Sequence, residues 1–389
     1  MDPFSIFPPE VILSILEFCT DFASLDGLLR TSARADQVFG KYYKTITERV
    51  MKNCLILSHG LQYEFRMIIL LELEKTSFTL SSLPVVLDSI NTPSDVPLSV
   101  PADHSLRAVR KAVSIAGNIC YAASACLHVM MDRLMAAEPR RVVGSPSAVE
   151  WIEGSLSEVQ SEPIRIRYHP PSWAETYRTH RILWALAIFS CVLHAANTRW
   201  DWSLEDKDSF IERYTRVGLT WRPEQLKTIA ECLCILNPSE AIALDHRFPF
   251  MVTIPSFLHS PARLIIPNPP ERNQAVDKDW EKIYRLAGRQ NGAIGTYRQL
   301  LRVHWPPRPP LQSGDLRVFR RLGIPIWDDW RLHLIGLIDR PSDSNCLDSS
   351  VFDYLPKELA SWSTACALFT WWDLAKKGDL DEKIVAAHS

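Results

Sequence analysis

Residues 11–18 read Val-Ile-Leu-Ser-Ile-Leu-Glu-Phe and follow the turn Phe7-Pro8-Pro9-Glu10. Proline suits the first turn of a helix, where its missing N–H breaks no intrahelical bond. At 100° per residue, Val11, Ile15 and Phe18 share one face; Ile12 and Leu16 lie beside it and Leu13 beyond. The apolar arc is about 220° wide, whereas a helix packed on one core needs about 100°. This helix must therefore be covered on two sides. Either it is sandwiched inside its own chain, or one side packs on a small domain and the other on a partner. The arc alone favours neither. Its place in a short N-terminal segment tips the balance towards a partner, because units under about 40 residues seldom hold a full core alone.

Two more amphipathic stretches follow. Phe22, Leu25, Leu28 and Leu29 come after Asp21, and Val38, Phe39, Tyr42 and Ile46 fall within 33–46. Three short helices with a wide apolar surface are thus predicted for residues 1–50. Farther on, Leu106, Val109, Val113, Ala116, Cys120, Ala123, Leu127, Met130 and Leu134 recur at steps of three and four, which predicts a helix over 105–137 ended by Pro139. Gly117, inside it, marks close packing or a kink. Ser172 with Glu175 three residues later forms a capping-box pattern ahead of an apolar run through Val192. Another helix is predicted over 222–236, with Pro223 in its first turn and Asn237-Pro238 as its stop. Further helices are predicted near 277–288, 327–338 and 356–377. No alternating run bounded by turn residues marks a strand. Pro-rich connectors occupy 91–104, 139–147, 259–272 and 304–312. The expected fold is mostly α, with a three-helix segment over 1–50 and an irregular helical domain with Pro-rich loops over 51–389.

The stretch FPPEVILSILEFCTDFASLDGLLRTSARADQVF resembles an F-box. That family opens with a Leu-Pro-x-Glu-like turn, matched by Phe7, Pro8 and Glu10. An Ile/Leu ladder follows, matched by Val11, Ile12, Ile15 and Leu16. An Asp-x-x-Ser-Leu step is matched by Asp21, Ser24 and Leu25, and a Leu-x-x-Thr-Ser stretch by Leu28, Thr31 and Ser32. Many F-boxes carry a tryptophan shortly after that serine; Ala35-Asp36 stands here instead. The match covers about forty of the 389 residues. More loosely, the remainder resembles the long helical tails of fungal F-box proteins. Its counterparts are His180-Arg181-Ile182-Leu183-Trp184, Trp221-Arg222-Pro223-Glu224-Gln225-Leu226 and Trp327-Asp328-Asp329-Trp330-Arg331-Leu332, with Pro223 and Trp330 departing from the pattern.

The resemblance implies a dock. In the family the apolar helices bind a Skp-type adaptor, which links to a cullin scaffold, and the C-terminal region presents a protein substrate for ubiquitin transfer. Carried onto this sequence, the dock comprises Pro8, Val11, Ile12, Ile15, Leu16, Leu25 and Leu28.

Composition bounds the alternatives. A formal net charge of −2 gives no long-range field for holding nucleic acid or an anionic membrane. The nine cysteines form no C-x-x-C pair, and the nearest two, Cys232 and Cys234, point to different sides of a helix. They read as reduced, mostly buried small hydrophobes of an intracellular protein. Met1-Asp2-Pro3 lacks the basic opening of a signal peptide. The most apolar window, 182–196, spans about 22 Å at 1.5 Å per residue, short of the ~30 Å hydrocarbon core. It also holds Ser190 and His194, so a buried core helix is predicted there.

Chemistry-bearing motifs are few. Gly288, Gly292 and Gly295 lack the P-loop lysine and follow no strand, which suits a helix connection. Cys191 and His194 sit i, i+3 without a second ligand pair and read as core packing. Asp328-Asp329 suits a helix N-terminus. The Pro-rich run 305–310 reads as a stiff loop. Arg298, Arg302, Arg308, Arg317, Arg320 and Arg321 form a basic cluster, a solvated face in the plainer reading. In the functional reading Arg298, Arg302, Arg317, Arg320 and Arg321 bind an acidic or phosphorylated substrate. Thirteen tryptophans fit an interface or a large helical core equally. No catalytic residue, cofactor or metal is expected. The sequence thus predicts an adaptor rather than an enzyme, the substrate receptor of a Skp–cullin–F-box ubiquitin ligase. The alternatives are a regulatory or structural protein that binds the adaptor without a ligase, a helical interaction protein of another kind, and an enzyme housed in the C-terminal region.

Overall fold

A computed structural model describes residues 2–73, 82–91, 106–137, 140–142, 161–163, 170–214, 223–236, 320–327 and 331. The protein is mostly α there. In chain order the helices are α1 (Pro9–Glu17), α2 (Phe22–Thr31), α3 (Ala33–Asn53), a 3₁₀ turn (Leu57–His59), α4 (Gln62–Leu73), α5 (Leu83–Asn91), α6 (Leu106–Ala136), α7 (Trp173–Thr198), α8 (Leu204–Arg213) and α9 (Pro223–Leu236). The helices expected near 277–288 and 356–377 lie outside the described residues, as do the connectors 259–272 and 304–312. The chain divides into two compact units, one drawn from Met1–Cys126 and Thr176–Pro270, the other from Leu127–Glu175 and Glu271–Ser389.

In the first unit, α1 lies against α3, and α2 also packs on α3. Asp21 caps α2: its carboxylate accepts the Ser24 N–H at 2.6 Å and the Ser24 hydroxyl at 2.9 Å. Ser32 caps α3 by accepting the Ala35 N–H at 3.0 Å. A side-chain acceptor satisfies one of the orphan donors of a helix start, so these residues fix where each helix begins. α3 bends at Tyr42, whose φ of −122° is non-helical, and runs on past Ile46 because Val50 and Met51 continue its buried face. The core is aromatic as well as aliphatic. Phe22 of α2 stacks on Phe65 of α4 with centroids 4.6 Å apart, and Phe65 meets Trp184 of α7 edge-on at 6.1 Å. Each such buried side chain contributes about 1.5–3 kcal/mol by leaving water.

α6 seats α2 through residues spaced one turn apart. Gly117 lets α2 approach: a Cβ there would lie 3.1 Å from the Asp26 Cβ and 3.3 Å from the Phe22 carbonyl oxygen. Close packing, not a kink, is therefore the role of this glycine. One turn back, the Ser114 hydroxyl accepts from Arg30 at 2.8 Å. Another turn back, Arg110 donates to the Leu29 carbonyl at 3.1 Å.

The predicted helix starts and stops at 106, 136, 173 and 236 lie within one residue of expectation. α7 runs 26 residues, about 39 Å at its rise. The shortness of the 182–196 window therefore does not describe the helix that contains it. α6 and α7 are each long and apolar enough to cross a membrane by length and composition, and 61% and 72% of their apolar windows are buried within the protein. The buried share accounts for part of that composition, since the apolar side of a packed helix faces the core.

In the second unit, Ser172 and Glu175 form the expected capping box: the Ser172 N–H donates to the Glu175 carboxylate at 2.7 Å, and the Glu175 N–H to the Ser172 hydroxyl at 3.3 Å. Glu175 and Arg331 are both buried. Arg331 donates to both Glu175 oxygens, at 2.8 and 2.9 Å, and to the Pro170 carbonyl at 3.0 Å. Its guanidinium also lies 5.1 Å from the Trp327 ring centroid. Gly323 holds φ at 73°, and a Cβ there would come within 2.8 Å of the Trp327 ring, so only glycine fits this turn. A short antiparallel pair, Arg140–Val142 with Ser161–Pro163, was not expected from the sequence. Three residues are too few to show an alternating pattern.

Candidate docking surface

α1 divides its apolar arc between two environments. Ile12 and Leu16 are fully buried in the chain's own core, as is Leu25 of α2. Val11 is 42% exposed, Phe7 39% and Phe18 79%. Ile15 and Leu28 are half-buried and Pro8 is exposed. At 100° per residue, Val11, Ile15 and Phe18 fall within about 60° of one another, a single stripe along α1. Ile6, 82% exposed, and Phe7 lie in the turn that precedes α1.

The expected dock is thus split. Pro8 and Val11 are exposed and Ile15 and Leu28 half-buried, whereas Ile12, Leu16 and Leu25 are shielded by the chain's own helices. A buried position lies behind the surface and supports it. Ile6, Phe7 and Phe18 are the residues that the sequence reading left out. The signal for Phe18 was its i+7 spacing from Val11; Ile6 and Phe7 lie in the turn before α1, which helical spacing does not reach.

One flank of the stripe is polar. Glu10, Ser14 and Glu17 follow one another at steps of four and three residues on the side of α1 away from Ile12 and Leu16. The Glu17 carbonyl, at the end of α1, accepts from the Asn53 side chain at 2.8 Å. That bond ties the end of α1 to the end of α3. At the other end Asp2 accepts the Ser32 hydroxyl at 2.9 Å, the Arg34 N–H at 3.0 Å and the Phe4 N–H at 2.8 Å. Those backbone donors, Arg34 first, hold the Asp2 carboxyl below its usual range. The segment before α1 is thereby fastened to the start of α3, which sets the position of Ile6 and Phe7.

Where many F-boxes have tryptophan, Ala35 is buried and Asp36 pairs with Arg110 of α6 at 2.8 Å. Some residues of the more distal motifs are part of the core. His180 and Trp184 of α7 are buried, and so are Trp327 and Arg331. Burial pulls the His180 ring down to about 4, so it is neutral near pH 7. Trp221, Asp328, Asp329 and Trp330 lie outside the described residues.

Of the other candidate residues, Arg320 and Arg321 are half-buried and helical, just before the turn at 322–326, and Arg298, Arg302, Arg308 and Arg317 lie outside the described residues, as do Gly288, Gly292 and Gly295. His194 is exposed rather than packed in the core, and Cys191 is half-buried. They fall where α7 turns one face to solvent. Among the described residues, no three His, Cys, Asp or Glu side chains gather as a metal site. The seven described cysteines are all free thiols. Comparison with family models, with curated proteins and with solved structures returns no match for this chain.

Proposed function

We propose that this chain is an F-box adaptor, the substrate receptor of a Skp–cullin–F-box ubiquitin ligase, acting inside the cell as a binding protein rather than an enzyme. The observation that carries the reading is the apolar stripe Val11–Ile15–Phe18, presented on a helix whose adjoining face is locked into the protein core, with Phe7 exposed in the turn before it. Solvent-facing apolar side chains in line along one helix are the usual form of a helix that beds into a partner's groove. The motif residues support it in a second way. Asp21 and Ser32 are the helix caps, and Ile12, Leu16 and Leu25 are core, so the F-box-like pattern is what makes the stripe rigid.

The test is co-elution of the full chain with a purified Skp-type adaptor on size exclusion, followed by addition of the matching cullin. A ternary complex is the expected outcome. An adaptor complex that excludes the cullin would favour the ligase-free regulatory role, and no adaptor complex at all would refute the F-box reading.

A further inference from the structure

We propose that the partner surface facing α1 is an apolar groove with basic side chains along one rim, positioned against Glu10 and Glu17. This rests on the docking reading above and specifies the chemistry of the surface that docks. Residues 1–29 contain the acids Asp2, Glu10, Glu17, Asp21 and Asp26 and no Lys, Arg or His. Three of the five are used within the chain. Asp2 is held by Ser32 and Arg34, Asp21 caps α2, and Asp26 pairs with Arg30 at 2.7 Å. Glu10 and Glu17 make no ion pair among the described residues.

Their placement is not that of a generic solvated face. They are seven residues apart, so they lie within about 20° of each other on the flank of the exposed stripe. Glu10 is in the first turn of α1, where the helix dipole favours a carboxylate. Glu17 is the last residue of α1, where the dipole opposes one, and no basic residue stands in that turn. The chain bears that local cost without an internal partner. A row of cations on the bound surface would offset it and would fix the direction in which α1 lies in the groove, since like charges placed there are rejected.

The experiment uses the full chain and a purified Skp-type adaptor, with affinity measured at about 50 mM and about 1 M salt, where the screening length falls from over 10 Å to about 3 Å. Glu10→Lys with Glu17→Lys is compared with the neutral pair Glu10→Gln with Glu17→Gln and with the apolar variant Val11→Asp/Phe18→Asp. Melting temperature serves as the folding control. The expected result is a loss of at least about ten-fold for the lysine variant at low salt, a smaller loss for the glutamine variant, and convergence with wild type at high salt. If the apolar variant abolishes binding while both charge variants bind as wild type does, or if the lysine variant binds more tightly, the docking face stands and the basic rim is refuted. If wild type does not bind, both readings fail.

Discussion

Arg110 Nη1 lies 2.8 Å from Asp36 Oδ1, joining α6 to the first turn of α3 beside buried Ala35. The same guanidinium donates to the Leu29 carbonyl and sits 5.6 Å from the centroid of the Phe39 ring. The three-helix segment is thus held to the body of its unit by polar contacts as well as by packing. The pair itself is partly exposed, so Asp36→Ala costs under ~1 kcal/mol. Arg110→Ala also strands a helix-end carbonyl and removes the ring contact, and costs about 1–2 kcal/mol. Urea unfolding of the two variants separates these effects. Equal costs would mean that the ion pair alone matters.

Gly117→Ala reverses the usual sign of that substitution. In an exposed helix, alanine is better than glycine by about 1 kcal/mol. Here the new methyl meets the Asp26 Cβ at 3.1 Å and the backbone oxygen of Phe22 at 3.3 Å, so α2 has to move off α6. A net loss of about 1–3 kcal/mol is expected, read as a lower midpoint in denaturant. A stabilised Gly117→Ala protein would show that α2 and α6 are not in close contact.

Glu175→Ala leaves the Arg331 guanidinium buried without its carboxylate and removes half of the capping box. The expected cost is about 3–5 kcal/mol. Glu175→Gln keeps an acceptor and costs less. Adding Arg331→Met to Glu175→Ala recovers part of the loss, because the stranded charge has gone. A double variant no more stable than Glu175→Ala would place the cost in the cap rather than in the ion pair.

Two groups of the first unit, half-buried Glu64 and buried His180, give opposing pH dependences. Burial pushes the Glu64 carboxyl up to about 7 from 4.5, against its own N–H and the Arg181 charge, and its Oε2 is shielded without a hydrogen-bond partner. Between pH 4.5 and 7 the unfolded chain loses that proton while the folded one keeps it, so stability falls as pH rises, by up to about 3 kcal/mol. His180, pulled down to about 4 from 6.5, acts oppositely: the unfolded chain takes up a proton first as pH falls below 6.5, and stability falls with it. Wild-type Tm is therefore nearly flat between pH 5 and 6.5. In Glu64→Gln only the histidine effect remains, so Tm drops on acidification through this range. A Glu64→Gln curve parallel to that of wild type would contradict the assignment.

Much of the fold was legible from local signals. Ser172 with Glu175, Pro223 and the spacing from Leu106 to Leu134 each mark a helix by chemistry that operates within a few residues. The starts of α2 and α8 carry the same kind of mark, and the Ser203 hydroxyl accepting the Asp206 N–H at 3.0 Å is one that the sequence reading passed over, because α8 is short on apolar residues. The docking surface was only half legible. Periodicity places Val11 and Ile12 on adjoining faces of α1, but which of them the chain covers depends on where α3 lies, a long-range outcome that no local pattern contains. The role of Gly117 likewise needed the position of Phe22, ninety-five residues earlier in the chain.

The central claim is that α1 binds through its exposed stripe and is held in place by its buried one. The most direct measurement is the affinity of the full chain for a purified Skp-type adaptor, comparing wild type with Val11→Asp/Phe18→Asp and recording the melting temperature of each. Both changed side chains are exposed, so the variant is expected to melt with wild type yet bind at least a hundred-fold more weakly, about 3 kcal/mol for two anchor residues. Unchanged affinity in a protein that melts normally would contradict the account.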